Sequence, residues 1–158
     1  MEVSVHYLFS KNSLIGSKII SWGTSHLHNT PETPSHIAVL INHRWVFEST
    51  MNSGIRILTY KKWLKINKEV AKIPGDKREY VDIKKIFRAV KNKKYDKLGV
   101  AYLSYHIALN KFFKKEIPER NKWEDPNKYF CCEAVAKLTD NYYSMKAPVD
   151  IMVNLSKP

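Results

Sequence analysis

Residues 35–48 read SHIAVLINHRWVFE, and this stretch decides the fold of the chain. The runs IAVLI and WVF are rich in β-branched and aromatic residues, and the polar segment NHR at 42–44 separates them. This pattern predicts two antiparallel strands joined by a tight hairpin. Since antiparallel pairing brings the open ends of the strands together, His36 and Glu48 should lie on neighbouring strands, within hydrogen-bonding reach if the register allows it.

The segments on either side of this hairpin predict an α+β fold, in which a small antiparallel sheet packs against helices. Further strands are predicted over Val3–Phe9, Gly54–Thr59 and Glu69–Ile73. A first helix is predicted from caps at Ser10–Ser13 through about Trp22, where Gly23 ends it. A short helix is predicted over Tyr60–Ile66, and another from a cap at Asp82 through Val90. Two more are predicted, over Leu98–Phe113 and from Cys131 to about Asn141. Loops that wall a cleft are predicted over Thr24–Pro34 and Lys114–Asn127.

Composition and net charge limit the classes of protein to which this chain can belong. With 158 residues, of which 44% are hydrophobic, the chain should form one folded domain over residues 1–158. No apolar stretch is long enough to span a bilayer and the first residues do not resemble a signal peptide, so we expect a cytoplasmic protein; association with a phage or a host cell stays open. The formal net charge of +12 favours nucleic acid, an anionic membrane or an anionic substrate as partner, and leaves the oligomeric state open.

The second informative segment is YFCCEAV at 129–135, where two adjacent cysteines open the last predicted helix. Backbone N–H groups and the positive end of the helix dipole favour a thiolate there. Adjacent cysteines would form a disulfide only in a strained ring, and no other cysteine is present, so a reducing compartment is the simpler interpretation. With His36 as a base and Glu48 to orient it, a thiol here completes a nucleophile, base and orienter set, and the residues alone do not decide between Cys131 and Cys132.

Three other polar residues have more ordinary interpretations. Glu133 lies in the first turn of the predicted helix, where a carboxylate is favourable with the dipole, and we interpret it as structural. His26 and His28 could flank the cleft, and together with the cysteines they also suggest a zinc site. No Cys-x-x-Cys pattern accompanies them, and adjacent thiolates fit one tetrahedral metal poorly, so we expect no metal and no cofactor.

Two basic and aromatic segments, YKKW at 60–63 and KFFKK at 111–115, predict solvated helix faces. Aromatic rings beside lysines also stack on bases while the lysines neutralise phosphates. The alternative function is therefore a basic module that binds nucleic acid or an anionic membrane without catalysis. That alternative predicts strongly salt-dependent binding, which the loss of Cys131 would leave unchanged.

The chain resembles the papain-like NlpC-type superfamily of cysteine peptidases and amidases, in its circularly permuted, YiiX-like branch, where the histidine precedes the cysteine. Ser35–Val39 is similar to the strand with the family's histidine, Phe47–Ser49 to the segment with its acidic residue, and YFCCEAV to the start of its cysteine helix. Weaker similarities are KYD at 94–96 and APVDI at 147–151. Cys132 stands where the family usually has Ser or Thr, and the Gly-Asp often found before the first strand is absent.

This resemblance implies a permuted papain-like fold with Cys131 as the nucleophile, His36 as the base and Glu48 as the residue that orients the imidazole. It implies hydrolysis of an amide bond in a peptide, a peptidoglycan fragment or an N-acyl compound, through a thioacyl-enzyme intermediate. An acyltransferase or a thioesterase would use the same residues. The expected partner is thus a peptide or an acylated small molecule, and Cys132 is expected to pack beneath the site.

Overall fold

The computed structural model describes residues 2–13, 15–139 and 145–157 of the chain. Its main sheet is antiparallel, and its strands follow one another in space as Gly54–Thr59 (β5), Trp45–Thr50 (β4), His36–Ile41 (β3), Val5–Lys11 (β2) and Lys68–Pro74 (β6). A separate pair joins Glu2–Val3 (β1) to Arg78–Glu79 (β7). The helices span Ile15–Thr24 (α1), Tyr60–Trp63 (α2), Tyr80–Val90 (α3), Lys97–Phe113 (α4), Cys131–Thr139 (α5) and Pro148–Leu155 (α6). This architecture confirms the predicted α+β class.

The hairpin of β3 and β4 forms as the sequence predicts, with Val39 opposite Phe47. Its turn places two consecutive residues at positive φ, Asn42 at 50° and His43 at 55°. Two such residues in a row give a turn whose twist matches that of the flanking strands, and Asn and His are among the non-glycine residues that most often adopt this conformation. The turn therefore sets the register, and the open end of the hairpin lies at the other end of the strands.

Both faces of β3 are buried, and different elements cover them. Ile37 and Val39 belong to the main core, on the face where α5 packs on β3 and β4. Ala38 and Leu40 point to the opposite face and pack with Trp63 of α2. Because other elements cover both faces of β3, the polar residues at its ends are partly shielded from water.

Two predicted helix boundaries are wrong. Gly23 does not end α1, because it stays helical and the hydroxyl of the next residue, Thr24, donates to the Ile20 carbonyl at 2.8 Å. Asp82 does not cap α3, because β7 runs directly into the helix at Tyr80. Asp82 lies instead in the first turn, where a carboxylate is still favourable with the helix dipole.

The first predicted strand, Val3–Phe9, is two strands in the structure. β1 ends just before Ser4, whose backbone N–H donates to the Asn42 side chain at 3.0 Å. β2 begins just after Ser4 and pairs on both sides, with β3 and with β6. The change of partner at Ser4 is therefore what divides the strand. The predicted helix end at Asn141 lies outside the described residues.

Helix α6 was not predicted, although its start carries a recognisable signal. Pro148 occupies the first turn, and Asp150 accepts a hydrogen bond from the Ala147 backbone N–H at 2.8 Å. The helix packs against β6 and so closes one end of the core. Across the described ranges, no helix combines the length and the apolar character that crossing a membrane requires.

Candidate active site

The candidate site lies where the first residue of β3 approaches the first residue of α5. Every residue of α5 except Lys137 is buried, so the N-terminus of this helix lies inside the protein. Cys131 begins α5 and is 6% exposed, and His36 begins β3 with a side chain that is 14% exposed. Glu48 of β4 is fully buried. The structure thus brings together the three residues that the sequence groups as nucleophile, base and orienter.

His36 and Glu48 are in direct contact, as the hairpin predicts. His36 donates a hydrogen bond from Nε2 to Oε2 of Glu48 at 2.7 Å. The register that pairs Val39 with Phe47 would, if extended, set Ala38 and not His36 opposite Glu48, so the contact runs diagonally between the strands, within reach of two long side chains. Because Nε2 is engaged by the carboxylate, Nδ1 is the ring nitrogen left for a second partner.

Two further residues hold Glu48 in place. Arg56 donates to Oε1 from Nε at 2.8 Å and from Nη2 at 2.7 Å, and Trp63 donates from Nε1 to Oε2 at 3.0 Å. Burial raises the pKa of Glu48, but the hydrogen bonds and charges of His36 and Arg56 outweigh it and lower the pKa to about 2. Glu48 is therefore an ionised and fixed acceptor for His36 at neutral pH.

The sequence analysis missed both of these partners. Arg56 has a usable signal, because pairing the predicted strand 54–59 with the Glu48 strand places the two opposite charges directly across from each other. The sequence signal of Trp63 is misleading, because the segment YKKW is typical of a solvated or base-stacking helix face. Its ring is fully buried against Glu48, so for Trp63 the predicted solvated face is wrong, and so is the alternative of a base-stacking residue.

Cys131 and His36 form an ionised pair. Burial alone lowers the pKa of His36, but hydrogen bonds to Cys131 and Glu48 raise it to about 10. Hydrogen bonds from Cys132, whose sulfur lies 3.9 Å away, and from His36 lower the pKa of Cys131 well below its usual range, against the effect of burial. The Ile37 backbone N–H lowers it further. These opposite shifts of the two pKa values favour a thiolate on Cys131 and a proton on His36.

Two neutral groups lie beside this thiolate. Cys132 is fully buried in the core, and burial together with the neighbouring Cys131 raises its pKa well above the usual range of a thiol. Burial and the charge of Cys131 also raise the pKa of Tyr95. Both groups keep their protons at neutral pH, so Cys132 packs beneath the site and donates its S–H to Cys131, while Tyr95 presents an uncharged hydroxyl.

Glu133 stabilises the start of α5. Its Oε2 accepts a hydrogen bond from the backbone N–H of Phe130 at 3.1 Å, which is half of a capping box. Its Oε1 is buried and has no hydrogen-bond partner. Burial raises the pKa of Glu133 to about 9, aided by the nearby carboxylates of Asp96 and Glu124 and opposed by the Phe130 N–H. Glu133 is therefore protonated at neutral pH, which suits a structural residue next to a thiolate.

Replacing this carboxyl by an amide, Glu133→Gln, should stabilise the protein as the pH rises. The folded state keeps the Glu133 proton up to about pH 9, whereas the unfolded chain loses it near its ordinary pKa, so this group removes stability progressively between those pH values. The variant lacks that loss, and its advantage should reach roughly 5 kcal/mol near pH 8 and vanish near pH 4. Urea unfolding of both proteins at several pH values measures the difference, and equal pH slopes would contradict it.

Two cavities reach Cys131. The polar cleft, of about 650 Å³, is lined by His36, Arg56 and the turn between β4 and β5. The apolar groove, of about 160 Å³, runs between α1 and α4. Residues 114–127 line neither cavity, and of the other predicted loop only Thr24 contributes. The prediction that these loops wall the cleft is therefore wrong, because the packing of α1 against α4 supplies the walls of the groove instead.

His26 and His28 line neither of these cavities, so the interpretation that they flank the cleft is wrong. The Nε2 of His26 lies 2.9 Å from Oδ1 of Asn110 in α4, and the Nε2 of His28 lies 2.7 Å from Oδ1 of Asp150 in α6. These contacts tie the loop after α1 to two helices. Within the described ranges, no three His, Cys, Asp or Glu side chains are placed to hold a metal ion.

Comparisons with known proteins assign no family to this geometry. No family model matches the chain, and no curated protein matches it. The function proposed below therefore rests on the contacts of Cys131, His36 and Glu48, together with the local sequence resemblance.

Proposed function

We propose that the protein is a cysteine hydrolase that cleaves an amide bond through a thioacyl-enzyme intermediate. The observation that carries the proposal is the position of the Cys131 sulfur at the start of α5 beside His36, whose Nε2 is held by the buried Glu48 at 2.7 Å. The order of these residues along the chain and the packing of α5 on β3 and β4 support a circularly permuted papain-like fold. Both cysteines are free, so we also propose a reducing compartment, the cytoplasm, for the protein.

In the first half of the proposed reaction, the Cys131 thiolate adds to the substrate carbonyl carbon and forms a C–S bond. Backbone N–H groups at the start of α5, which have no partner within the helix, bind the negative oxygen that results. As the intermediate collapses, the C–N bond breaks and the His36 imidazolium donates its proton to the leaving amine. Glu48 stays ionised throughout and keeps the imidazole in one orientation.

In the second half, water attacks the thioester carbonyl while neutral His36 accepts its proton. The C–S bond then breaks, the acid leaves, and the thiolate and imidazolium are restored. An amine or alcohol that replaces water in this step would make the protein an acyltransferase, and a thioester substrate would make it a thioesterase. The substrate is a peptide, a peptidoglycan fragment or an N-acyl compound.

The labelling of Cys131 by iodoacetamide should be fast well below about pH 8, where an ordinary thiol reacts slowly. His36 and Cys132 hold the thiolate, so labelling should decline only when acid protonates the sulfur. In a His36→Ala variant the fast labelling at low pH should be lost, because the imidazolium no longer stabilises the thiolate. Peptide mapping assigns the label to Cys131 or Cys132, and thiols that stay inert until unfolding would overturn the proposal.

The alternative, a basic surface that binds without catalysis, has one observation in its favour. Phe112 is 63% and Phe113 is 71% exposed, and lysines flank both at 111 and at 114–115. Exposed aromatic rings among lysines suit the interface of an anionic membrane. Inert cysteines in the labelling experiment would favour this alternative, whereas a reactive Cys131 that depends on His36 favours the hydrolase.

A further inference from the structure

The polar cleft and the apolar groove are separate spaces that meet at the nucleophile. Both are lined by Cys131, Tyr95, Ser35 and Ile20, so these residues form the junction between them. Beyond the junction the two spaces differ in chemistry. The cleft is lined by charged and hydroxyl side chains together with apolar ones such as Met51 and Ile66, whereas the groove is lined almost entirely by apolar ones, among them Leu103, Ile107, Phe112, Phe130 and Pro148.

From this geometry we infer that the substrate carries an apolar acyl chain, which lies in the apolar groove, with its polar leaving group in the polar cleft. The inference rests on the proposed hydrolase function and names its substrate class, an acylated amphiphile. His36 lines the cleft and not the groove. Because His36 must reach the leaving atom to protonate it, the leaving group lies on the cleft side, and the acyl group is left on the groove side of Cys131.

The lining of the groove selects an alkyl chain over a peptide. A peptide segment would bring backbone N–H and C=O groups into a space with few partners, and each unpaired buried polar group is unfavourable. An alkyl chain needs no such partners and gains from leaving water. The hydroxyls of Ser35 and Ser104 and the amine of Lys111 are among the few polar groups along the groove, and Lys111 already donates to the Trp22 carbonyl at 2.8 Å.

The size of the groove limits the part of the chain that it encloses. Its volume of about 160 Å³ is close to that of an engineered apolar cavity of roughly 150 Å³ that binds benzene in another protein. The groove should therefore enclose about six carbons beyond the carbonyl. Its outer end lies at Trp22 and Phe112, which are 61% and 63% exposed, so further carbons would lie along a partly open apolar surface.

A series of para-nitrophenyl esters from acetyl to dodecanoyl tests this inference on the purified protein. In the enclosed part of the groove each added methylene should raise kcat/KM up to about fourfold, and the gain should level off near octanoyl. Hydrolysis of the acetyl ester without any gain along the series would overturn the acyl-chain inference and leave the hydrolase intact. No hydrolysis of any ester would count against the hydrolase itself.

A matched pair of variants tests the location of the chain. Ala108 lines the groove on an exposed face of α4, so Ala108→Trp should fill the groove and lower the octanoyl-to-acetyl ratio of kcat/KM at least about tenfold. Ala89 is exposed on α3 and lines neither cavity, so Ala89→Trp makes the same change elsewhere and should leave the ratio unaltered. Equal ratios in the two variants would overturn the assignment of the groove.

Protection of Cys131 by a fatty acid tests the groove without turnover. Decanoate should slow the iodoacetamide labelling of Cys131 in the wild type, because its chain fills the groove and its carboxylate reaches the thiol. Acetate should not slow it, and decanoate should protect the Ala108→Trp variant much less than the Ala89→Trp variant. Equal labelling with and without decanoate would overturn the inference even for a protein that hydrolyses short esters.

Discussion

Replacing Cys131 by alanine should lower kcat/KM for acyl hydrolysis at least about 10⁴-fold, because the sulfur forms the bond to the acyl group. In this variant His36 and Glu48 have no thiol to activate. Any rate acceleration that remains would come from substrate binding and from the backbone N–H groups at the start of α5. Rates with the best acyl ester, corrected for spontaneous hydrolysis, measure the loss. Full turnover by the variant would refute the proposed role of Cys131.

The adjacent thiol supplies a matched control. Cys132 is fully buried and keeps its proton, so Cys132→Ala removes a hydrogen bond to the thiolate but not the nucleophile. We expect this variant to retain measurable hydrolysis. It should need a higher pH for fast labelling of Cys131, because it lacks the hydrogen bond from Cys132 that lowers the pKa of Cys131. If Cys132→Ala abolishes hydrolysis and Cys131→Ala does not, the roles of the two thiols are reversed.

Replacing Glu48 by alanine should destabilise the protein by about 3–5 kcal/mol, the second large effect that we expect. The carboxylate has a side chain only 1% exposed and accepts from His36, Arg56 and Trp63, so its removal leaves buried positive charge and a buried indole N–H without their acceptor. Urea unfolding measures the change. The partly exposed Glu32, which pairs with Lys68 at 2.9 Å, is the control, and Glu32→Ala should change the free energy of unfolding far less.

The charge of Glu48 also has a signature in the pH dependence of stability. Its pKa is about 2 in the folded protein and near 4.3 in an unfolded chain, so the ionised group contributes stability that is complete above the unfolded value and is lost as the pH falls toward 2. That contribution is about 3 kcal/mol. The Glu48→Gln variant keeps an acceptor oxygen but lacks this titration, so its stability should fall less steeply in acid. Parallel curves for the two proteins would contradict the buried ion pair.

The part of the site that the sequence predicts is the part that depends on local patterns. The run from Ser35 to Glu48 contains both strands and their turn, so the contact between His36 and Glu48 follows from the hairpin alone. The start of α5 is equally local, because the two cysteines follow an aromatic pair and precede a helical pattern. Only the approach of these two elements to each other needs long-range packing, and there the resemblance to a known family supplied the expectation.

The rest of the site depends on packing that no local pattern encodes. Trp63 lies in a segment with lysines at 61, 62 and 65, which predicts a surface position. Its indole instead turns inward and donates to the buried Glu48. The apolar groove forms between α1 and α4, whose contact the sequence analysis did not predict. Which of their apolar residues face each other is decided by the crossing of the helices, so the predicted loop walls were replaced by helical ones.

The loop over residues 114–127 links α4 to the segment that leads into α5, and it lies outside both cavities that reach Cys131. A chain divided in this loop would therefore place His36 and Glu48 on one fragment and Cys131 on the other, with the walls of the polar cleft kept on the first. Neither part of the chain holds the whole site, so the reactivity of the Cys131 sulfur depends on the packing of α5 against the hairpin of β3 and β4.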